Sequence, residues 1–458
     1  MMGRFWCLAG LFCFILSATA RSEQFKPEDT ITRDVCIIGG GSTGTYAAIQ
    51  LKDQKQSVVV VEKKDLLGGH TETLYLPNGQ VDYGVQGFFN NKITTDYFAK
   101  LGIDHEPLLP GSLKTDNVNF LTGKKVRPPS GLLDTITAAL QYRSAIQQFS
   151  YLEYGVYNLP DPVPEDLLRP FGEFVFKHNL QGALNLIFLF AHGVGNLLEV
   201  PTLTVIANFG IPHINALLQG YIRPKHGAYE LFQKATDKLR QDILFQSTVV
   251  NATRTTNGVE LIVQHADGSR KLIKANKLLL TIPPILSNLD GFDLSDAERS
   301  VFQKWEWKSY YAAVLNNTGI PDARNVANLN PNNQPGSLPT TPFIWHLDYP
   351  GVSGYLTHKM VGDANFTVQQ AKDLIFSDVH RMGTAGTYET RRPNILAFAD
   401  HTPTTMAVSP EEVRNGFYKS LYALQGQQST FYTGLAWCSD YATFLWNYTD
   451  SVIERMLA

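Results

Sequence analysis

Cysteine is scarce in this chain, with four in 458 residues. Two of them, Cys7 and Cys13, fall within the first twenty residues, which leaves Cys36 and Cys438. That count excludes a disulfide-stapled scaffold and offers no spacing for a metal site. It permits a single Cys36–Cys438 bridge, although Cys36 sits in an apolar run where a cysteine ordinarily packs as a small hydrophobe. Charge is thin as well: charged residues make up 18% of the chain and the net charge is −3. With no basic excess to neutralise phosphates, nucleic acid is not expected as a partner. Nor, beyond the first twenty residues, is there an apolar run of the ~20 residues that a membrane span needs. The candidate at 183–190 is interrupted by Asn185 and then by His192, Gly193, Gly195 and Glu199.

What is present is globular: 44% hydrophobic residues, and 11% aromatics that supply material for an apolar pocket. The length suggests two or three domains. The extreme N-terminus reads differently. Arg4, an apolar stretch at 5–16 and the small residues Ala18-Thr19-Ala20 have the form of a signal peptide over 1–20. A secreted protein, or one of the secretory lumen, is the expectation, with no membrane span after cleavage. Four Asn-x-Thr sequons, at Asn251, Asn316, Asn365 and Asn447, agree with that route. Asn447 is discounted as a glycan site on the expectation that it lies against the cofactor.

The most informative stretch is 34–70. Asp34-Val35-Cys36-Ile37-Ile38 reads as a buried parallel strand. It breaks at Gly39-Gly40-Gly41-Ser42-Thr43-Gly44, and a helix is expected over 45–52, then a β-branched strand over 57–61. Gly39 permits the tight turn, Gly41 lets a pyrophosphate approach the backbone, and Gly44 lets helix and strand pack closely. The N–H groups around Ser42 and Thr43 then face the phosphates with the positive end of the helix dipole. Glu62 stands at the end of the second strand, where an acid accepts hydrogen bonds from a free ribose diol. These residues establish a dinucleotide site without choosing between NAD and FAD.

Further along, strands at 71–76 and 80–84 flank Asn78-Gly79, a hairpin signal. Residues 92–221 read as mostly helical. A second unit opens at His226-Gly227-Ala228, with a helix over 229–239, a strand over 243–250, a hairpin of 259–264 and 271–273 about Asp267-Gly268, and a separate strand over 277–282 stopped by Pro283-Pro284. Residues 320–340, rich in Asn and Pro, read as a surface loop. A strand at 429–436 and a helix starting near Thr449 close the chain.

Gly68-Gly69-His70, with the hairpin ending Val81-Asp82-Tyr83-Gly84, resembles the flavin amine oxidase superfamily, in which a Gly-Gly-Arg segment runs along the pyrophosphate and flavin. Other blocks are similar to it: His226-Gly227-Ala228, the adenine strand Ser247-Thr248-Val249-Val250, the strand end Leu279-Leu280-Thr281-Ile282-Pro283-Pro284, and Tyr432-Thr433-Gly434 before the closing helix. Within the superfamily the chain resembles the fungal cyclopiazonate dehydrogenase-like flavoproteins and, next, the fatty-acid double-bond isomerases. The resemblance implies an α/β fold. A Rossmann-like FAD-binding domain of glutathione-reductase type is assembled discontinuously from 31–92, 222–290 and 420–458. A helical cap at 93–221 and a mixed-sheet substrate domain at 291–419 complete it.

The same resemblance implies FAD as cofactor, held by Gly39, Gly41, Ser42, Thr43, Gly44, Glu62, Gly69, His70, Val249 and Tyr448, and no metal. No cysteine stands where some members attach FAD, so binding is expected to be noncovalent, with a link through His70 as the alternative. Gln86 and Tyr448 are the candidate catalytic residues, and Phe88 and Phe89 either wall the pocket or belong to the core. Three departures stand out: His70 replaces the arginine, the strand around 310–316 lacks a lysine, and 437–446 is aromatic where the family is acidic and glycine-rich. The implied activity is hydride removal from a C–N or C–C bond of a hydrophobic small molecule, such as a fungal secondary metabolite, to flavin N5, with oxygen as reoxidant. The alternatives are a redox-neutral fatty-acid isomerase and a noncatalytic flavoprotein. Oligomeric state is open.

Overall fold

The strand Thr30–Ile38 is the axis of the nucleotide-binding layer, because its last four residues are buried on both faces. All four valines of Val58–Val61 are buried as well, as in a parallel strand covered by helices. In the computed structural model, which describes residues 25–129 and 131–458, these two strands pair in parallel. The expected signal peptide lies outside the described residues. Ile243–Leu244 extends the parallel sheet on one side, and the end of Arg270–Leu280 and then Thr430–Tyr432 extend it on the other. The helices Ser42–Asp53, Glu230–Leu239 and Ala442–Leu457 pack together with this sheet.

Arg270–Leu280 is one strand where two were expected, and its burial explains why. Its first half alternates buried and exposed, and pairs antiparallel with Gly258–His265, which in turn pairs with Ser247–Thr255. Its last three residues are buried on both faces and pair in parallel. The hydrophobic period therefore changes partway along, which reads as a break.

A second, eight-stranded sheet is built mainly from the chain's later half, with Glu306–Asn316 between Tyr355–Asp363 and Asn394–Asp400. It corrects two expectations. Residues 320–340 contain the strand Asn325–Asn328, which pairs with Phe343–Asp348 and, in parallel, with Thr115–Asn119. Asn328 is tolerated inside because its side chain donates to the Ile344 carbonyl at 2.8 Å and accepts from the Phe120 amide at 3.3 Å. Thr115–Asn119 and Lys124–Lys125 likewise place part of 92–221 in this sheet, between the helix Lys92–Leu101 and the mainly helical stretch from Leu132 onward. The helix Val368–Thr384 covers one face of the sheet through Ala371, Ile375 and Met382.

Three smaller differences matter for the site. The hairpin turns at Pro77-Asn78, and Gly79, at φ +151°, is already the first strand residue opposite Leu76. The closing helix begins at Ala442, seven residues before the expected start, because Phe444, Leu445 and Trp446 are a buried helical face. Cys36 and Cys438 are both buried and unpaired. Among the described residues no helix is long and apolar enough to cross a membrane.

Candidate active site

The glycine loop leaves the C-terminal end of the central parallel strand, the end at which open α/β sheets bind ligands. Gly39 has φ +103°, a conformation that disfavours a side chain. At Gly44 an added Cβ would lie 1.9 Å from the Gly39 carbonyl oxygen, so helix and loop touch only because no side chain intervenes. Gly69 approaches so closely that its added Cβ would sit 3.0 Å from the Gly41 Cα. Gly41 is the N-cap of the helix Ser42–Asp53, and no side chain caps the first turn, so its N–H groups are left for an anion. Ser42 offers its backbone; its Oγ accepts from Trp446 Nε1 at 3.1 Å, which ties the first helix to the last. Thr43 is buried beside it.

Glu62 is buried, and each of its carboxylate oxygens accepts one backbone N–H, from Gly40 at 2.6 Å and Lys64 at 2.7 Å. These bonds fix the carboxylate, and each oxygen retains a lone pair for a ribose hydroxyl. Ser247 N donates to the Glu62 carbonyl at 2.9 Å, which brings Val249 to the same rim, beside a bulge in the ladder between Val249 and Asn251. Lys64 Nζ reaches the Gly69 carbonyl at 3.1 Å and places a fixed positive charge beside the Gly-Gly-His segment. An uncapped helix N-terminus, two side-chain-free backbones and a fixed acid at the next strand end suit the pyrophosphate and ribose of FAD.

The remaining expected residues are scattered. Gln86 donates to the Asp82 carbonyl at 3.2 Å, within its own loop. Phe88 and Phe89 are core: Phe88 stacks on Trp446, and Phe89 packs against Tyr441 and Phe444. Tyr448 stands inside the last helix, not at its N-terminus, and its hydroxyl accepts from Gln425 Nε2 at 3.0 Å. Gln425 also brackets Tyr432 through both of that residue's backbone groups, so Tyr448 fastens the helix to the preceding strand. Asn447 is exposed on the helix, which removes the reason for discounting its sequon. Asp82 acts at a distance in sequence: its carboxylate accepts from the Ala228 amide at 2.9 Å, before the helix Glu230–Leu239.

His70 belongs to a cluster that sequence reading did not find. Its ring stacks on His401 at 4.4 Å, and His401 Nε2 lies 2.8 Å from Glu72 Oε2. Burial, with the neighbouring His401, pushes His70 down to about 3. Burial lifts the Glu72 carboxyl to about 7 against the nearby His70 and Lys64. On the other face of His401 stacks Tyr310, at 6.0 Å. The Tyr310 hydroxyl meets His192 Nε2 at 2.9 Å, and His192 Nδ1 is 3.2 Å from the Leu189 carbonyl. A carbonyl only accepts, so Nδ1 carries the proton, and the phenol donates to Nε2. Burial and the Lys359 charge hold His192 down at about 3. Lys359 stands opposite Ala312 on the strand next to 310–316, and burial lowers its own ammonium.

Next to this cluster a small pocket opens between the helix Thr202–Asn208, the strand Thr404–Ala407 and the segment leading into the last helix. Tyr157, Leu203, Met406, Tyr418, Leu435 and Cys438 supply much of its wall, and Asp440 is its one acidic group. Asp440 is solvent-exposed where it lines this space, and desolvation by the protein groups around it lifts its carboxyl to about 6 against a hydrogen bond from Thr404. Among the described residues no group of three or more His, Cys, Asp or Glu converges as a metal site would.

Comparison with known proteins agrees with this geometry. A model of the NAD(P)-binding Rossmann-like domain matches residues 37–101. The chain is 46% identical over 442 residues to beta-cyclopiazonate dehydrogenase of Aspergillus flavus, covering 96% of each protein. It is 34% identical to the FAD-dependent oxidoreductase oblC of Cochliobolus heterostrophus, covering 96% of this chain and 94% of that one. In fold it is similar to the crystal structure of a CLA-producing fatty acid isomerase from P. acnes, with TM-score 0.75 at 18% identity over 93% of this chain and 99% of that one. It is also similar in fold to a putrescine oxidase variant, with TM-score 0.66 at 15% identity over 93% of this chain and 100% of the other.

Proposed function

The chain belongs to the family of FAD-dependent oxidoreductases that includes beta-cyclopiazonate dehydrogenase, and we propose that it oxidises a C–N or C–C bond of a hydrophobic small molecule, a secondary metabolite in chemical class. FAD, when bound, supplies the two-electron acceptor at flavin N5. The protein's residues do the rest. The glycine loop and Glu62 hold the dinucleotide, and the apolar side chains at the pocket, among them Leu203, Met406 and Leu435, favour an apolar substrate. Tyr310, oriented by His192, presents a phenol oxygen with a free lone pair to a substrate N–H or O–H. The observation that carries this reading is the placement of a partly apolar pocket beside the segment 434–440, at the same end of the parallel sheet as the phosphate cradle.

Two further parts of the reading follow from the chain's chemistry. Molecular oxygen serves as reoxidant, since no second nicotinamide motif accompanies the first. The leader at 1–20 and the sequons support export through the secretory route. Anaerobic mixing of the holoenzyme with beta-cyclopiazonate, and then with hydrophobic amines, indoles and polycyclic compounds, tests the reading. Bleaching of the oxidised flavin band is expected with at least one of them, followed by recovery on admitting oxygen. Absence of bleaching across the set would sink it, and a product of unchanged mass formed without oxygen uptake would replace it with isomerisation.

A further inference from the structure

Removing two electrons from a C–N or C–C bond also requires that a proton leave the substrate, and the residues around the cavity differ sharply in their freedom to take it. His192 is committed at both nitrogens, to Tyr310 and to the Leu189 carbonyl. His401 is committed to Glu72 through Nε2. Asp440 is the one acidic side chain lining the cavity. Among the described residues no cation pairs with it; its partner is the Thr404 hydroxyl. The groups that feel its charge are neutral: Tyr310 from the strand Glu306–Asn316, Tyr157 from the cap, and Cys438 and Tyr441 from its own segment. It leaves the parallel sheet at the ligand-binding end, two residues ahead of the last helix.

We propose that Asp440 is the catalytic base of this enzyme, accepting the proton of an N–H or C–H adjacent to the bond that is oxidised. In that step the substrate X–H bond breaks, its electron pair stays on X, and an O–H bond forms on the Asp440 carboxyl. The hydrogen on the adjacent carbon then leaves as hydride, its C–H bond breaking and carrying both electrons to FAD, the oxidant this family uses, while the electron pair on X forms the new double bond. This assignment rests on the oxidoreductase reading above. A carboxyl lifted to about 6 is mostly ionised at neutral pH and is a stronger base than an aspartate at its ordinary value.

The test compares wild-type, Asp440→Asn and Asp440→Glu holoenzymes after FAD content has been measured by absorbance. On anaerobic mixing with beta-cyclopiazonate, Asp440→Asn is expected to bleach about 10²- to 10⁴-fold more slowly. The wild-type rate falls as pH drops through about 6, and that limb is absent in Asp440→Asn. Asp440→Glu restores part of the rate with a shifted limb. An acid-minus-neutral infrared difference spectrum gives a readout without turnover: a protonated-carboxyl band present in wild type is missing from Asp440→Asn. Wild-type rate and pH profile in Asp440→Asn, or an unchanged infrared band, overturns the assignment. Should Asp440→Asn fail to hold FAD, Asp440→Glu decides, since a profile identical to wild type rejects the proposal. A wild-type enzyme that bleaches with no candidate removes the substrate reading and this step together, whereas wild-type bleaching matched by the variant removes Asp440 alone.

Discussion

The phosphate cradle and the cavity wall are two halves of one site, yet they are built in opposite ways. The cradle spans Gly39 to His70 and closes on itself through backbone contacts: Gly44 against Gly39, Gly69 against Gly41, and Glu62 on the amides of Gly40 and Lys64. The wall and the cluster beside it draw Asp440, Glu72, His192, Tyr310 and His401 from separate segments, and side-chain hydrogen bonds and ring stacking join the last four. A backbone-built site tolerates no added atom, whereas a side-chain site tolerates substitution but changes its chemistry. The two halves should therefore fail differently.

The sharpest separation comes from Gly44→Ala. A Cβ placed 1.9 Å from a backbone oxygen forces helix and loop apart, at a cost of about 3 kcal/mol. The purified variant is expected to lack the flavin absorbance band; a full FAD complement would break the comparison. Tyr310→Phe should do the reverse. With its bond to His192 lost, substrate-driven bleaching slows about tenfold while FAD content stays at the wild-type level. Loss of FAD in Tyr310→Phe would place the phenol in the cradle instead.

A smaller effect separates Glu72 from His401 by pH. Glu72 is raised from an ordinary 4.5 to about 7, so its contribution to stability is present at low pH and declines as pH rises through that window. His401 is lowered from 6.5 to about 3, chiefly by burial, so its contribution declines as pH falls from 6.5 toward 3. The slopes oppose each other. Glu72→Gln removes one, and thermal melts of the variant should show stability rising by about 2 kcal/mol toward pH 6.5, against a flatter wild type. Parallel profiles would show that the two groups do not titrate against each other. Smallest of all, Tyr448→Phe should leave FAD content and bleaching unchanged and cost no more than about 1 kcal/mol, the bond from Gln425. A lost flavin band there would restore Tyr448 to the cofactor site.

How much of this was legible in the sequence follows the same division. The Gly39–Gly44 loop, its flanking strands and Glu62 could be read because their spacing is the structure: each contact is made by residues close in sequence, with no side chain free to vary. The last helix starts earlier than its sequence suggests because 437–446, aromatic where the family is acidic and glycine-rich, carries no helix-start signal, yet Phe444, Leu445 and Trp446 form a packed helical face. The Asn-rich 320–340 segment reads as a loop because composition reports polarity but not the backbone groups that satisfy Asn328 inside a sheet. His192, His401 and Lys359 carry no local pattern at all; the one lysine here, Lys359, stands on the strand next to 310–316, opposite Ala312.

The amino-acid sequence by itself therefore determined a dinucleotide site and the central βαβ unit, since these rest on residue spacing along one short stretch of backbone. The chemistry facing the substrate was decided only by the tertiary structure. Burial and long-range neighbours set the proton on His192, lift Asp440 and Glu72, and hold His401 neutral, and none of these forces acts until distant segments have packed around the same cavity.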